Sequence, residues 1–208
     1  GLRSVRFTPT VINAAMKTAR NNTLPLNDAK GVFAQVLLRE ARQQLLDRGV
    51  FEEDLARILP DLRKSSGFKK MVDKIWPNLS GAQLVRFLLG SPTNRNKAID
   101  GLLSPEEGNL LQRSSAKKIA DEPWTAADLP LLDEGNAIAS GGGRRYGHVV
   151  VDEAQDLSAM ALRAAGRRAT NASMTILGDI AQSTGIGAQE SWDAVTTSLG
   201  IDGSLVRR

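Results

Sequence analysis

Two short apolar runs that each end in a carboxylate constrain this chain more than any other feature. Val149-Val150-Val151 runs straight into Asp152-Glu153-Ala154-Gln155-Asp156, and Met174-Thr175-Ile176-Leu177 runs into Gly178-Asp179-Ile180-Ala181-Gln182. β-branched residues that stop at acids read as buried strands whose ends emerge at the edge of a sheet. In open α/β sheets ligands bind at that carboxyl end. Taken alone, the first run reads equally well as a strand leading into a solvated turn. The second run, one βα unit downstream, favours a site. Between them Ser158 is a natural N-cap, and the Ala- and Leu-rich stretch from Ala159 predicts a helix with arginines at its end. Strand, helix, strand over about thirty residues predicts a right-handed βαβ unit with neighbouring parallel strands. Both acidic ends then share one edge of the sheet. A carboxylate there can hold Mg²⁺, and a second can orient or deprotonate a water attacking a phosphate.

The pair DEAQD and GDIAQ resembles motifs II and III of superfamily 1 helicases of the UvrD/Rep kind. The flanking residues are similar to HelD-type ATPases: Trp124 to Glu134, Tyr146-Gly147-His148 before the first run, and Ser191-Trp192-Asp193-Ala194-Val195. These are proteins of actinobacteria and firmicutes that bind RNA polymerase and free it from nucleic acid. The resemblance extends more loosely over 28–113. It implies an α/β fold, with a helical insertion domain over 1–123 followed by part of a P-loop NTPase (RecA-like) parallel sheet with flanking helices over 124–208. It also implies that ATP and Mg²⁺ serve the intact protein. Asp152 would be the Mg²⁺-associated acid and Glu153 the residue that activates the attacking water. Gln155 and Asp156 would complete motif II and couple the site to neighbouring loops, while Asp179 and Gln182 would sense the γ-phosphate. Core RNA polymerase and the rest of the parent chain are the partners implied. The alternative is a UvrD/Rep-type DNA helicase whose basic insertion binds DNA.

The chain departs from the family pattern in one decisive place. No Gly-x-x-x-x-Gly-Lys-Ser/Thr occurs in it, and the glycines of Ser140-Gly141-Gly142-Gly143 are neither preceded by a strand nor followed by Lys-Ser/Thr. HelD-type proteins carry a long insertion near here, so either this homologue is trimmed or residues have been removed or replaced. Without a P-loop lysine or an arginine finger, an acidic cluster repels a bare nucleotide. The expectation is an internal segment of a larger ATPase that alone neither hydrolyses ATP nor unwinds nucleic acid.

Charge separates two regions. Through Ala120 there are 20 basic against 11 acidic residues, a net of +9, and thereafter 7 against 12, a net of −5. The basic part suits nucleic acid or the acidic surface of a protein. Lys64, Lys69, Lys70 and Lys74 form its densest cluster, although no aromatic stacking platform is interleaved with them. A solvated surface is the ordinary reading of such a cluster. With no cysteine and no apolar run near the ~20 residues of a membrane span, a cytoplasmic location is expected.

In chain order, Leu2 to Phe7 alternates like a short edge strand, and Thr8-Pro9 opens a helix to about Arg20. Asn21 to Pro25 reads as a loop. Asn27 or Asp28 caps a helix to about Arg48 with Val32, Val36, Leu37, Ala41, Leu45 and Leu46 on one face. Phe51 to Leu59 is a helix stopped by Pro60. Ser66 caps the next, stopped by Pro77, and Ser80 opens another, closed by Gly90. Ser91 to Asp100 reads as a mobile loop. Ser104-Pro105-Glu106-Glu107 starts a helix burying Leu110 and Leu111. Thr125 with Asp128 starts a helical stretch whose Leu131, Leu132 and Ile138 pack on the sheet. Trp124 reads as a packing residue and His148 as a structural hydrogen-bonding one. Glu190 to Leu199 predicts a last helix, with Trp192 packing it down or touching a nucleotide or base.

Overall fold

The computed structural model describes residues 4–185 and 187–201. The chain divides into two compact units, Gly1–Leu79 and Ser80–Arg208. Helix dominates, at 62%, beside one small parallel sheet, so the architecture is compatible with α/β. The division drawn from motifs at Trp124 falls inside the second unit.

The first unit is helical: α1 (Pro9–Arg20), α2 (Leu26–Leu46), α3 (Glu52–Lys64) and α4 (Ser66–Ile75). Thr8 caps α1 through its side chain, with Pro9 at the first helical position, as the Thr-Pro pair predicts. α2 is the long element, and Ala29, Phe33, Leu37, Ala41 and Leu45 form its buried seam at a strict spacing of four. Phe33 is fully buried and lies 5.6 Å from the Trp76 ring, whose indole N–H donates to the Leu26 carbonyl at 2.8 Å. Phe68 and Val72 of α4, with Ala15 and Ala19 of α1, complete this core.

Several expectations change here, each for a local reason. The predicted edge strand is absent over residues 4–7, and its first residues lie outside the described ones. The segment is instead clipped to α2: Gln44 pairs with the Arg6 backbone at 3.0 and 3.3 Å, and Arg48 donates to the Ser4 carbonyl at 2.7 Å. Asn27 is not the N-cap, because α2 already begins at Leu26, directly after Pro25. The Asn27 amide exchanges two hydrogen bonds with the Leu79 backbone, at 3.0 and 2.9 Å. Ser65 rather than Ser66 caps α4. Pro60 does not stop α3, which continues to Lys64. Proline in a helix interior costs about 3 kcal/mol. Buried Leu55 and half-buried Leu59 and Leu62 anchor the helix on both sides of it, with acids in the first turn and bases in the last complementing the dipole.

The second unit contains α5 (Gly81–Leu89), α6 (Pro92–Ile99), α7 (Pro105–Leu110), α8 (Leu129–Ser140), β1 (Val149–Val151), α9 (Ala159–Gly166), β2 (Met174–Ile176) and α10 (Trp192–Leu199). Capping boxes at Ser80/Gln83 and Ser104/Glu107 start α5 and α7 as their sequences predict. The stretch read as a mobile loop is α6, capped by Ser91, with Arg95 buried against α7's exit through Gln112. Leu110 is 86% and Leu111 40% exposed, so neither is buried as expected; Gly108 is the residue α7 turns inward, against Ile99. Ile138 is likewise exposed. α8 packs on α5 and α9, and its buried residues are Gly135 and Ala139. A Cβ on Gly81 would stand 2.4 Å from the Asn136 backbone nitrogen, so glycine permits this close crossing.

An ion-pair network ties α8 to α9. Arg167 bonds Asp133 at 2.7 Å and also meets Glu134; Arg163 reaches Glu134 at 3.0 Å, and Arg168 reaches Asp133. Burial raises the Glu134 carboxyl, but the hydrogen bonds and charges of Arg167 and Arg163 outweigh it and leave the group below its ordinary value. Asp128 is more strongly held. The Arg113 guanidinium hydrogen bond lowers its carboxyl to about 2, against the opposing effect of burial, with help from the Thr125 N–H and hydroxyl at 2.8 and 2.9 Å. The Arg113 cation also lies over Trp124, 6.0 Å from the ring centre.

Because the folded value lies below the ordinary 3.8, this carboxylate stabilises the fold above about pH 4 and loses that contribution as pH falls toward 2. Asp128→Asn is expected to cost about 1–3 kcal/mol at neutral pH and to flatten the acid limb of a stability–pH curve. Urea titrations between pH 2 and 7 measure this; parallel curves for the two proteins would refute the assignment.

Candidate functional site at the ends of two parallel strands

β1 and β2 pair in parallel, with Val149, Val150 and Val151 opposite Met174, Thr175 and Ile176. Alternation decides which residues face the core. Val151, with Val149, Met174 and Ile176, faces a core made by Leu162 of α9 and Val195 and Leu199 of α10. Trp192 packs against that cluster, half-buried. On the other face Val150 is 62% exposed. There His148 uses both ring nitrogens, on the Ser173 hydroxyl at 2.9 Å and the Thr175 hydroxyl at 3.0 Å. It is a cross-strand clasp, as the reading of a structural histidine predicts.

The ladder continues past the strand ends and fixes the two acidic turns to each other. The Leu177 N–H donates to the Val151 carbonyl at 2.8 Å, and the Ala154 N–H donates to the Leu177 carbonyl at 3.0 Å. Between these bonds lie Asp152 and Glu153, both exposed. Asp152 accepts the Glu153 N–H at 2.9 Å. Glu153 itself is left-handed, at φ 51° and ψ 41°. For a residue with a Cβ this costs on the order of 1–2 kcal/mol. The strained residue is the one the sequence nominates as base.

Gln155 joins the parts. It is 1% exposed, and both polar atoms of its side chain find partners. Its amide donates to Glu153 Oε2 at 2.7 Å, its side-chain carbonyl accepts the Asp179 N–H at 3.0 Å, and its backbone carbonyl accepts the Gln189 N–H at 2.8 Å. The amide orientation follows from chemistry, since a backbone N–H must meet the oxygen. Gly178 makes room: a Cβ there would stand 2.1 Å from Gln155 Oε1. Asp179 accepts the Ala181 N–H and the Gln182 amide, both at 2.9 Å, which shapes the second turn.

The structure thus brings Asp152, Glu153, Gln155, Asp179 and Gln182 to one end of the sheet. Gln155 is buried and reaches a ligand only through its neighbours. Asp156 is exposed, and its side chain makes no hydrogen bond among the described residues. Two participants were not legible beforehand. Gln189 is 6% exposed and donates its side-chain amide to the Leu157 carbonyl at 3.0 Å. Gly178 admits a side chain that lies 23 residues earlier, that of Gln155.

Among the described residues no group of three or more His, Cys, Asp or Glu is placed to hold a metal. A protein-only cage is therefore not built there. Mg²⁺ that arrives with phosphates needs only one or two carboxylates, and the exposed Asp152 meets that requirement. The donor set fits a nucleotide-borne Mg²⁺. Among the described residues no helix is long and apolar enough to cross a membrane. Comparison with protein-family models and with curated proteins finds no match to this chain.

Proposed function

We propose that this chain supplies the motif II and motif III portion of the ATP site of a helicase-like ATPase. The parent would be of the HelD type, which binds core RNA polymerase and helps release it from nucleic acid, with the second unit forming part of a RecA-like domain. The observation that supports this reading is the Gln155 bridge. Two acidic turns with the sequences DEAQD and GDIAQ leave neighbouring parallel strands and share one buried side chain. A solvated turn after a strand needs no such bridge.

In this reading Asp152 holds the Mg²⁺ that neutralises phosphate charge. Glu153, kept in place by the Gln155 amide, accepts a proton from the attacking water. Asp179 and Gln182 form the second turn, where the γ-phosphate is sensed. Because the Asp179 N–H rests on Gln155, a shift of that turn is passed to Glu153 through one hydrogen-bonded side chain. The phosphate cradle and its lysine come from elsewhere in the parent, since none of the 208 residues forms a P-loop.

The test is retention of core RNA polymerase by the immobilised chain, run beside ATP turnover of the same preparation. Retention without Glu153-dependent turnover is expected. A folded chain that retains no polymerase overturns the partner. Turnover that Glu153→Gln abolishes overturns the division of the site between segments.

A further inference from the structure

The first unit carries an open groove of about 670 Å³ between α2, α3 and α4. This volume is within the ~300–1,000 Å³ range of ligand sites. Leu38, Leu59 and Pro60 give it an apolar lining, and the other lining residues are all cationic: Arg39, Arg42, Arg63, Lys64 and Lys69. Arg42 is paired with Glu52. The other four cations have no carboxylate partner among the described residues, and the groove lining contains no acid. The persistence of α3 through Pro60 creates this arrangement. Had the helix ended there, Arg63 and Lys64 would not follow Leu59 and Pro60, each one turn on.

We propose that this groove docks an acidic segment of a partner protein, one that seats an apolar side chain on Leu38, Leu59 and Pro60 while its carboxylates meet the unpaired cations. Charge complementarity chooses the sign of the occupant, and the apolar lining chooses a peptide over a nucleic acid. A single-stranded nucleic acid binds through aromatic platforms on which bases stack, and no aromatic residue lines the groove. Long arginine and lysine stems add apolar surface while their heads remain available to carboxylates. The proposal rests on the first unit alone and does not depend on the nucleotide reading.

The experiment uses the full chain and a fluorescein-labelled peptide in which glutamates alternate with leucine and phenylalanine. Fluorescence anisotropy at ~0.15 M salt is the readout. Saturable binding is expected, weakened about tenfold or more by the Arg39→Glu/Arg63→Glu double variant. Replacing the peptide's leucine and phenylalanine by serine is expected to weaken it similarly. Both arginines are exposed and unpaired, so the variant should keep the native circular dichroism; if it does not, Arg39→Gln/Arg63→Gln is measured instead. The proposal is overturned by no binding up to about 1 mM peptide, or by charge-reversed protein binding within about twofold of the original. Indifference to the serine replacement also overturns it. So does tighter binding of oligo-dT with a steep salt dependence, which would assign the groove to nucleic acid.

Discussion

Glu153→Gln, introduced into the intact ATPase proposed above, is expected to lower the turnover number by about 10²–10⁴-fold while nucleotide affinity changes little. Glutamine keeps the volume of the side chain and can still accept from the Gln155 amide through its carbonyl. What it loses is basicity. A turnover number within about threefold of the original would remove Glu153 from the role of base. The backbone offers an independent check on the chain itself. Glu153 sits at φ 51°, where a Cβ costs on the order of 1–2 kcal/mol. Glu153→Gly relieves that strain, offset by about 0.5–1 kcal/mol of chain entropy and by the lost hydrogen bond to Gln155. Its stability is therefore expected within about 1 kcal/mol of the original, whereas Glu153→Val should lose about 2 kcal/mol or more. A valine variant as stable as the original would show that the turn relaxes freely.

Phe33→Ala is expected to cost the first unit about 3–5 kcal/mol. Its ring is fully buried, stacks obliquely on Trp76, and touches a cluster assembled from three helices. Domains of this size are held by roughly 5–15 kcal/mol in total, so the loss takes much of that margin. Trp76 is the one tryptophan of this unit, so with Trp124 and Trp192 of the second unit replaced by phenylalanine its fluorescence reports the transition directly. Phe33→Leu, which keeps most of the volume, should cost under about 1.5 kcal/mol. Equal midpoints for alanine and leucine variants would deny Phe33 its central place in the packing.

Local chemistry was legible in the sequence wherever a side chain acts on its own backbone. The Ser80/Gln83 and Ser104/Glu107 boxes, the Thr8-Pro9 start, the Ser158 cap and the parallel pairing of the two apolar runs follow from spacing and residue type. The misreadings came where distant residues decide. Pro60 fails to end α3 because Leu55, Leu59 and Leu62 anchor both sides of it. Asn27 could serve as a cap, but the Leu79 backbone takes both ends of its amide. Ser91 to Asp100 has the composition of a loop, yet a Ser-Pro start and the burial of Arg95 make it helical. The acids of the candidate site were visible because strands end at them. Their bridge was not, because nothing in DEAQD says that its glutamine turns inward to meet a backbone N–H 24 residues away.

The strict spacing of four along α2 has a geometric outcome. Each step of four residues advances about 400° around the axis, so the seam drifts about 40° at every step. From Ala29 to Leu45 it has swung by about 160°, nearly to the opposite side. Ala29, Phe33 and Leu37 accordingly belong to the cluster around Trp76, whereas Ala41 and Leu45 lie outside it. α2 works as a twisted spindle: one end is gripped from one flank and the far end from the reverse, so damage at Leu45 and damage at Phe33 should loosen different neighbours.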